Sequence, residues 1–197
     1  MKTLIYQIEF FTFWHAGSGL SGGAYADQMV NKGRNELPFI PGKTLKGLLR
    51  DAAMTINEYD SDTVKQEFIR NVFGEVPTPE KINNEQFTTE GFAFFSNAQL
   101  STNLAQRIGT AEKSFSKHLY RVLASTKIDA NGLAEDHSLR QLEVAIPLKL
   151  YAAIEQFPDN ETYREQMGHC MAGVKRMGLN RSRGLGRCNF TILNEDQ

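Results

Sequence analysis

The densest run of chemically capable residues lies near the C-terminus, at Gly178-Leu-Asn-Arg-Ser-Arg-Gly-Leu-Gly-Arg187. Arg181, Arg183 and Arg187 each carry a planar fork of donors that suits a phosphate. Asn180 and Ser182 add neutral hydrogen-bonding groups. Gly178, Gly184 and Gly186 tolerate positive φ and let a backbone approach a ligand closely. This composition predicts a loop that binds RNA or another phosphate-bearing ligand. It follows a predicted helix and precedes a predicted strand, the reverse of the order in a dinucleotide fingerprint. Gly184-x-Gly186 also lacks the third glycine of that motif.

A second basic group opens the clearest helix in the chain. Leu45, Leu48, Leu49, Ala52, Ala53 and Ile56 form one apolar stripe at helical spacing, and Lys43, Lys46 and Arg50 lie off it. Gly42-Lys43-Thr44 invites comparison with a nucleotide-triphosphate loop. That motif requires a glycine at position 37, where this chain has Leu37, and Pro38 and Pro41 stiffen the segment. A triphosphatase is therefore rejected. A helix N-terminus beside Lys43, Lys46 and Arg50 remains a site for a nucleic-acid phosphate, or else an ordinary solvated helix.

Net charge is −1 over 197 residues, so composition alone points to no polyanion. The distribution is more informative. Arg164, Lys175, Arg176, Arg181, Arg183 and Arg187 face the single acid Glu165 in their segment, whereas acids gather in residues 58–62, 75–90 and 129–143 and in the tail. A basic face on a neutral protein follows from such segregation. Cys170 and Cys188 have no metal-ligand spacing and read as buried thiols. Glu9 and Gln7 interrupt the N-terminal apolar run, so no signal peptide is expected, and no run is long enough for a membrane span. The expected location is the cytoplasm, away from membranes.

The elements that must position these groups read as follows. Residues 3–14 form an opening strand; a glycine-rich loop runs from His15 to Gly23; Pro38–Pro41 is extended; and helices cover 42–56 and 62–73. Residues 91–96 read as a buried strand, and Asn131-Gly132 marks a hairpin within 126–140. Leu142–Ile154 looks like one long strand, followed by a helix over 162–177, the arginine loop and a closing strand at 188–193. No linker or repeat divides the chain, so residues 1–197 are expected to form a single domain. The fold class expected is α+β, a ferredoxin-like or modified RNA-recognition-motif sheet with helices on one face and a hairpin insertion.

Three segments in this order, His15-Ala-Gly-Ser-Gly19, Pro38-Phe-Ile-Pro-Gly-Lys-Thr-Leu-Lys-Gly47 and Arg181-Ser-Arg-Gly-Leu-Gly-Arg187, resemble the RAMP superfamily of CRISPR-associated proteins. The likeness extends from about residue 3 to residue 193 and is greatest to the repeated backbone subunit of type III effector complexes. It implies guide RNA, complementary target RNA, copies of the chain itself and other CRISPR effector subunits as partners. It also implies that the 126–140 hairpin is a thumb, or otherwise a surface hairpin. In that family an aspartate in the loop before the Pro-x-Ile-Pro-Gly segment is associated with metal-dependent cleavage of target RNA. Asp27 is the only carboxylate between His15 and Asn35 and takes that role by resemblance, as ligand to Mg2+ or another divalent metal. His15 contacts RNA, acts as an acid–base, or is structural. The other readings are a non-catalytic assembly module on the same scaffold and a metal-free guide-processing endoribonuclease.

Overall fold

The computed structural model describes residues 2–59, 63–75, 89–110 and 115–193. Alternation of period two makes the first strand. In β1 (Lys2–Phe10), Leu4, Tyr6, Ile8 and Phe10 are buried on one face, while Ile5, Gln7 and Glu9 keep access to solvent on the other. Next comes α1 (Gly42–Tyr59), which buries Leu45, Leu49 and Ala53 along its apolar stripe. Glycine is required at its start: a Cβ on Gly42 would sit 2.0 Å from the carbonyl oxygen of Phe95. The chain continues through α2 (Thr63–Phe73), β2 (Phe94–Phe95), α3 (Thr102–Thr110), β3 (Tyr120–Ser125), β4 (Arg140–Ala145) and β5 (Lys149–Phe157). Asn160 then caps α4 (Glu161–Gly173) by accepting the Tyr163 N–H at 3.3 Å, and β6 (Cys188–Ile192) closes the fold.

The main sheet has the order β2-β5-β1-β6, with every pair antiparallel. Its first and third strands are central, and α1 and α4 follow the first and third strands. That is the βαββαβ pattern of a ferredoxin-like unit, interrupted by α2, by α3 and by the β3–β4 ribbon. Leu45 and Leu49 of α1 and Met167 and Met171 of α4 share one core cluster with Tyr6, Ile8, Leu150 and Ile154 of the sheet. The helices thus lie on one face, as the sequence predicts. Cys170 and Cys188 are both buried within this layer, and burial pushes both thiols up to about 12. Among the described residues no helix is long and apolar enough to cross a membrane.

The single strand expected over 142–154 is in fact two strands in two different sheets. Pro147 cannot donate to a ladder, and around it Ile146 turns its N–H to Leu119 O at 2.9 Å. The expected strand at 91–96 shrinks to Phe94–Phe95, and β3 and α3 fall where no element was expected. The hairpin at 126–140 is present as the tip of the β3–β4 ribbon. Asp129 Oδ1 there accepts the N–H groups of Asn131 and Leu133 at 2.9 and 2.8 Å, and Gly132 takes φ +81°. Ile128, Leu133 and Leu139 remain exposed on it.

The ribbon and the long loop that follows β1 are joined through one buried acid. Glu143 is 1 % exposed. Its carboxylate accepts the Val30 N–H at 3.1 Å and pairs with Lys32 Nζ at 2.8 Å. Its own N–H donates to Gln28 O at 3.0 Å, and its carbonyl lies 2.6 Å from His15 Nδ1. Lys32 also stands 4.3 Å above the ring of Tyr120, whose hydroxyl donates to Glu36 O at 2.7 Å. Burial, and then the charges of Glu143 and Glu36, raise the Tyr120 phenol well above its ordinary value. Removing one partner of a buried pair leaves the other charge uncompensated. Glu143→Ala is accordingly expected to lower unfolding free energy by about 3–5 kcal/mol in urea titrations, with part recovered in Glu143→Ala/Lys32→Met.

Candidate nucleic-acid interface

The arginine loop is laid along the segment that leaves β1. Phe11 N–H donates to Arg187 O (2.9 Å), Arg187 N–H to Thr12 Oγ1 (3.0 Å), Gly186 N–H to Phe13 O (2.8 Å) and Leu179 N–H to His15 O (3.1 Å). Met177 N–H closes the loop's neck on Gly186 O at 3.0 Å. This close packing explains two of the glycines. A Cβ on Gly186 would lie 1.9 Å from Met177 O, and one on Gly178 would lie 2.3 Å from His15 O. Both residues also take positive φ. They are spent on the protein's own backbone, whereas Gly184, at φ +89°, faces open space.

Between these pinned ends Arg181–Arg183 form a single 3-10 turn, started by Asn180 in the left-handed region at φ 56°. Asn180 O accepts the N–H of Arg183 at 2.8 Å, and Arg176 Nη1 donates to Arg181 O at 3.3 Å. Arg181, Ser182, Arg183 and Arg187 are all exposed. Among the described residues no carboxylate pairs with the three arginines, and Arg187 lies 5.9 Å from the Phe11 ring centroid. The turn therefore presents uncompensated guanidinium groups on a rigid base.

Beside the loop is a cavity of about 180 Å³, lined by Trp14, His15, Gly17, Asn31, Thr44, Leu48, Gly178 and Leu179. His15 is 3 % exposed. A carbonyl can only accept, so the contact with Glu143 O puts the ring hydrogen on Nδ1 and leaves Nε2 as the acceptor nitrogen of the neutral ring. Nε2 looks toward Gly17, where a Cβ would be 2.9 Å away. Thr44 and Leu48 bring the first turns of α1 to the same cavity.

The structure thus gathers His15, the start of α1 and the 178–187 loop, but it divides the predicted cations. Two positions along a helix correspond to about 200° of rotation. Lys46 and Arg50 therefore fall opposite Thr44 and Leu48, on the flank of Met54 and Asn57, which line a cavity with Ile69 and Arg70 of α2. Lys43, three and seven positions before Lys46 and Arg50, lies on that same far flank and is exposed on the first turn. The backbone of that turn is largely occupied. Gly42 N–H donates to Asn97 Oδ1 at 2.8 Å, and the N–H groups of Thr44 and Leu45 donate to Pro41 O. Among the described residues only the Lys43 N–H in this turn lacks an acceptor.

Asp27 is exposed at the root of the ribbon. Its N–H donates to Gln141 O at 2.8 Å, and its Oδ2 accepts the Gln141 N–H at 2.6 Å. His15 meets the same strand edge at Glu143, two residues along, a step of about 7 Å in an extended strand. Asp27 and His15, twelve positions apart in sequence, are thus docked on one edge of β4. Oδ1 of Asp27 is free to hold a cation, but among the described residues no group of three or more His, Cys, Asp or Glu converges to complete a metal site.

Sequence reasoning passed over Thr44, Asn31 and Glu143. An acid inside the apolar run Leu142-Glu-Val-Ala-Ile146 was the available signal for the last of these.

A family model described as the RAMP superfamily matches residues 7–189. No curated protein matches the sequence. The fold is similar to a chain in the cryo-EM structure of the type III-B Cmr-β complex bound to cognate target RNA (TM-score 0.68, 11 % identity, covering 98 % of this chain and 97 % of that one). It is also similar to a chain of the same complex in its apo state (0.69, 12 %, 98 % and 98 %). A chain of a type IV-B CRISPR complex is similar as well (0.66, 12 %, 100 % and 92 %).

Because Gly186 is wedged against the Met177 carbonyl, Gly186→Ala is expected to lower the melting temperature by several degrees, the consequence of about 1–3 kcal/mol of backbone strain. Thermal unfolding followed by circular dichroism checks this.

Proposed function

The chain belongs to the RAMP superfamily, and on that premise we propose that it is a guide-RNA-binding backbone subunit of a type III CRISPR ribonucleoprotein complex. Its partners would be guide RNA, complementary target RNA, further copies of itself and other effector subunits. The observation that carries the reading is the turn at Arg181–Arg183, exposed, unpaired and anchored by backbone bonds to residues 11–15 beside the His15 cavity. Guanidinium forks on a fixed turn match a phosphate backbone and ignore base identity, as a guide of variable sequence demands. Lys43, Lys46 and Arg50, together on the far flank of α1, would touch a different stretch of nucleic acid or none.

Target cleavage would use Asp27. A lone carboxylate suits Mg2+, which keeps several waters and takes its remaining oxygens from phosphates. Asp27 would hold the ion through Oδ1, the oxygen not committed to Gln141, and the ion would supply Lewis-acid charge at the scissile phosphate. His15, held in one tautomer by Glu143 O, would present Nε2 to RNA. A second reading, the same subunit without catalysis, is favoured because among the described residues no group of three or more His, Cys, Asp or Glu gathers around Asp27.

Two measurements test these readings. Replacing Arg181, Arg183 and Arg187 with alanine should weaken RNA binding irrespective of sequence and reduce the slope of log K against log salt by about two. An unchanged slope would remove the loop from the interface. In the assembled complex, Asp27→Ala should abolish Mg2+-dependent cleavage of a complementary RNA while its affinity stays the same. Persistent cutting by that variant would take the role from Asp27.

A further inference from the structure

A second cavity, of about 290 Å³, lies on the other side of the loop that follows β1, between residues 33–39 and the start of α3. Its walls combine apolar surface from Pro38, Phe39 and Leu100 with three carboxamides, Asn35, Gln99 and Gln106. None of those carboxamides hydrogen-bonds to another described residue, in contrast to Asn31, Asn71 and Asn97, which are committed. No carboxylate lines the cavity, and Arg34 is its one cationic wall among the described residues.

The turn that supplies Asn35 is strained. Asn35 and Glu36 both sit in the left-handed region, at φ 58° and 56°. The turn is held there by the Tyr120 hydroxyl on Glu36 O. Gly109 leaves room for the Asn35 side chain, whose amide nitrogen is 2.9 Å from where a Cβ at position 109 would be. Two residues in an unfavourable region, one of them bearing a free carboxamide over a cavity, fit a recognition site better than a plain turn.

We propose that this cavity binds a nucleobase, unstacked from a single strand, with its phosphate beside Arg34. A base has two apolar faces and an edge of mixed donors and acceptors. Phe39, partly accessible on the cavity wall, suits a face, and carboxamides carry both donors and acceptors in one plane. The volume is at the small end of ligand cavities, about right for one base with its sugar. The guide-binding reading supplies only the source of the base; the cavity's chemistry stands apart from the arginine loop.

The test compares the full-length wild type with Asn35→Gly/Gln106→Ala. Fluorescence anisotropy measures affinity for a mixed-sequence single-stranded oligoribonucleotide and for the same ribose-phosphate strand made abasic. Wild type should prefer the base-bearing strand by about tenfold. The variant should lose that preference while keeping its affinity for the abasic strand. Glycine relieves the positive φ at position 35, so the variant's melting temperature should hold or rise, which separates recognition from folding. If the double variant fails to fold, Gln106→Ala alone, on an exposed helix face, serves in its place. Equal binding of both strands by wild type, or a preference that survives in the variant, overturns the proposal. If neither strand binds, the guide-binding reading fails, and saturation-transfer NMR with the four free nucleosides decides the cavity. Transfer to at least one nucleoside that disappears in the variant sustains the site; transfer to none rejects it.

Discussion

The arrangement depends on one buried carboxylate. Glu143 commits both side-chain oxygens and both backbone polar groups, to Lys32, Val30, Gln28 and His15. An acid at 1 % exposure is tolerable only because each of these bonds replaces one lost to water. In return, a loop of more than twenty residues between β1 and α1 is held against the ribbon, although it contains no strand and only one turn of helix. His15, Asp27, Lys32 and Asn35 all depend on that attachment for their positions.

The second dependence is steric. The loop after α4 crosses the chain leaving β1 so closely that position 178 admits no side chain, and its own neck at Met177 leaves none at position 186. Its ends are therefore rigid, and the exposed turn is held between them. Rigid ends matter for phosphate recognition, because arginine forks gain most when little conformational freedom is lost on binding. Gly178 and Gly186 thus let backbone pack on backbone, Gly186 buried, while Gly178 and Gly184 keep exposure to solvent.

The helical repeat sets a third constraint. One flank of α1 turns toward the arginine loop, and the opposite flank turns toward α2. Cations two positions from Thr44 and Leu48 are carried to the far side, since the apolar stripe of Leu45, Leu49 and Ala53 must face the sheet. The chain's positive charge is thus split by the need to bury that stripe. Under the proposed function, binding would rest on local groups and not on net charge, which is −1.

Local patterns carried much of the fold. The period of two in Leu4, Tyr6, Ile8 and Phe10, the stripe in α1 and the Asn131-Gly132 turn each reflect interactions between near neighbours, and each was legible in the sequence. So was a glycine- and arginine-rich loop between a helix and a strand, because its composition disfavours either element locally. Pro147 was visible too, yet that β4 and β5 lie in different sheets follows only from long-range pairing. Tertiary structure alone decided that His15 and Asp27 share an edge of β4, that Lys46 and Arg50 point away from Arg181–Arg183, and that Gly178 and Gly186 serve packing. The shared edge of β4 and the packing of Gly178 on His15 depend on contacts between segments more than a hundred residues apart, and no local spacing encodes which strand edge or helix flank a distant segment will meet.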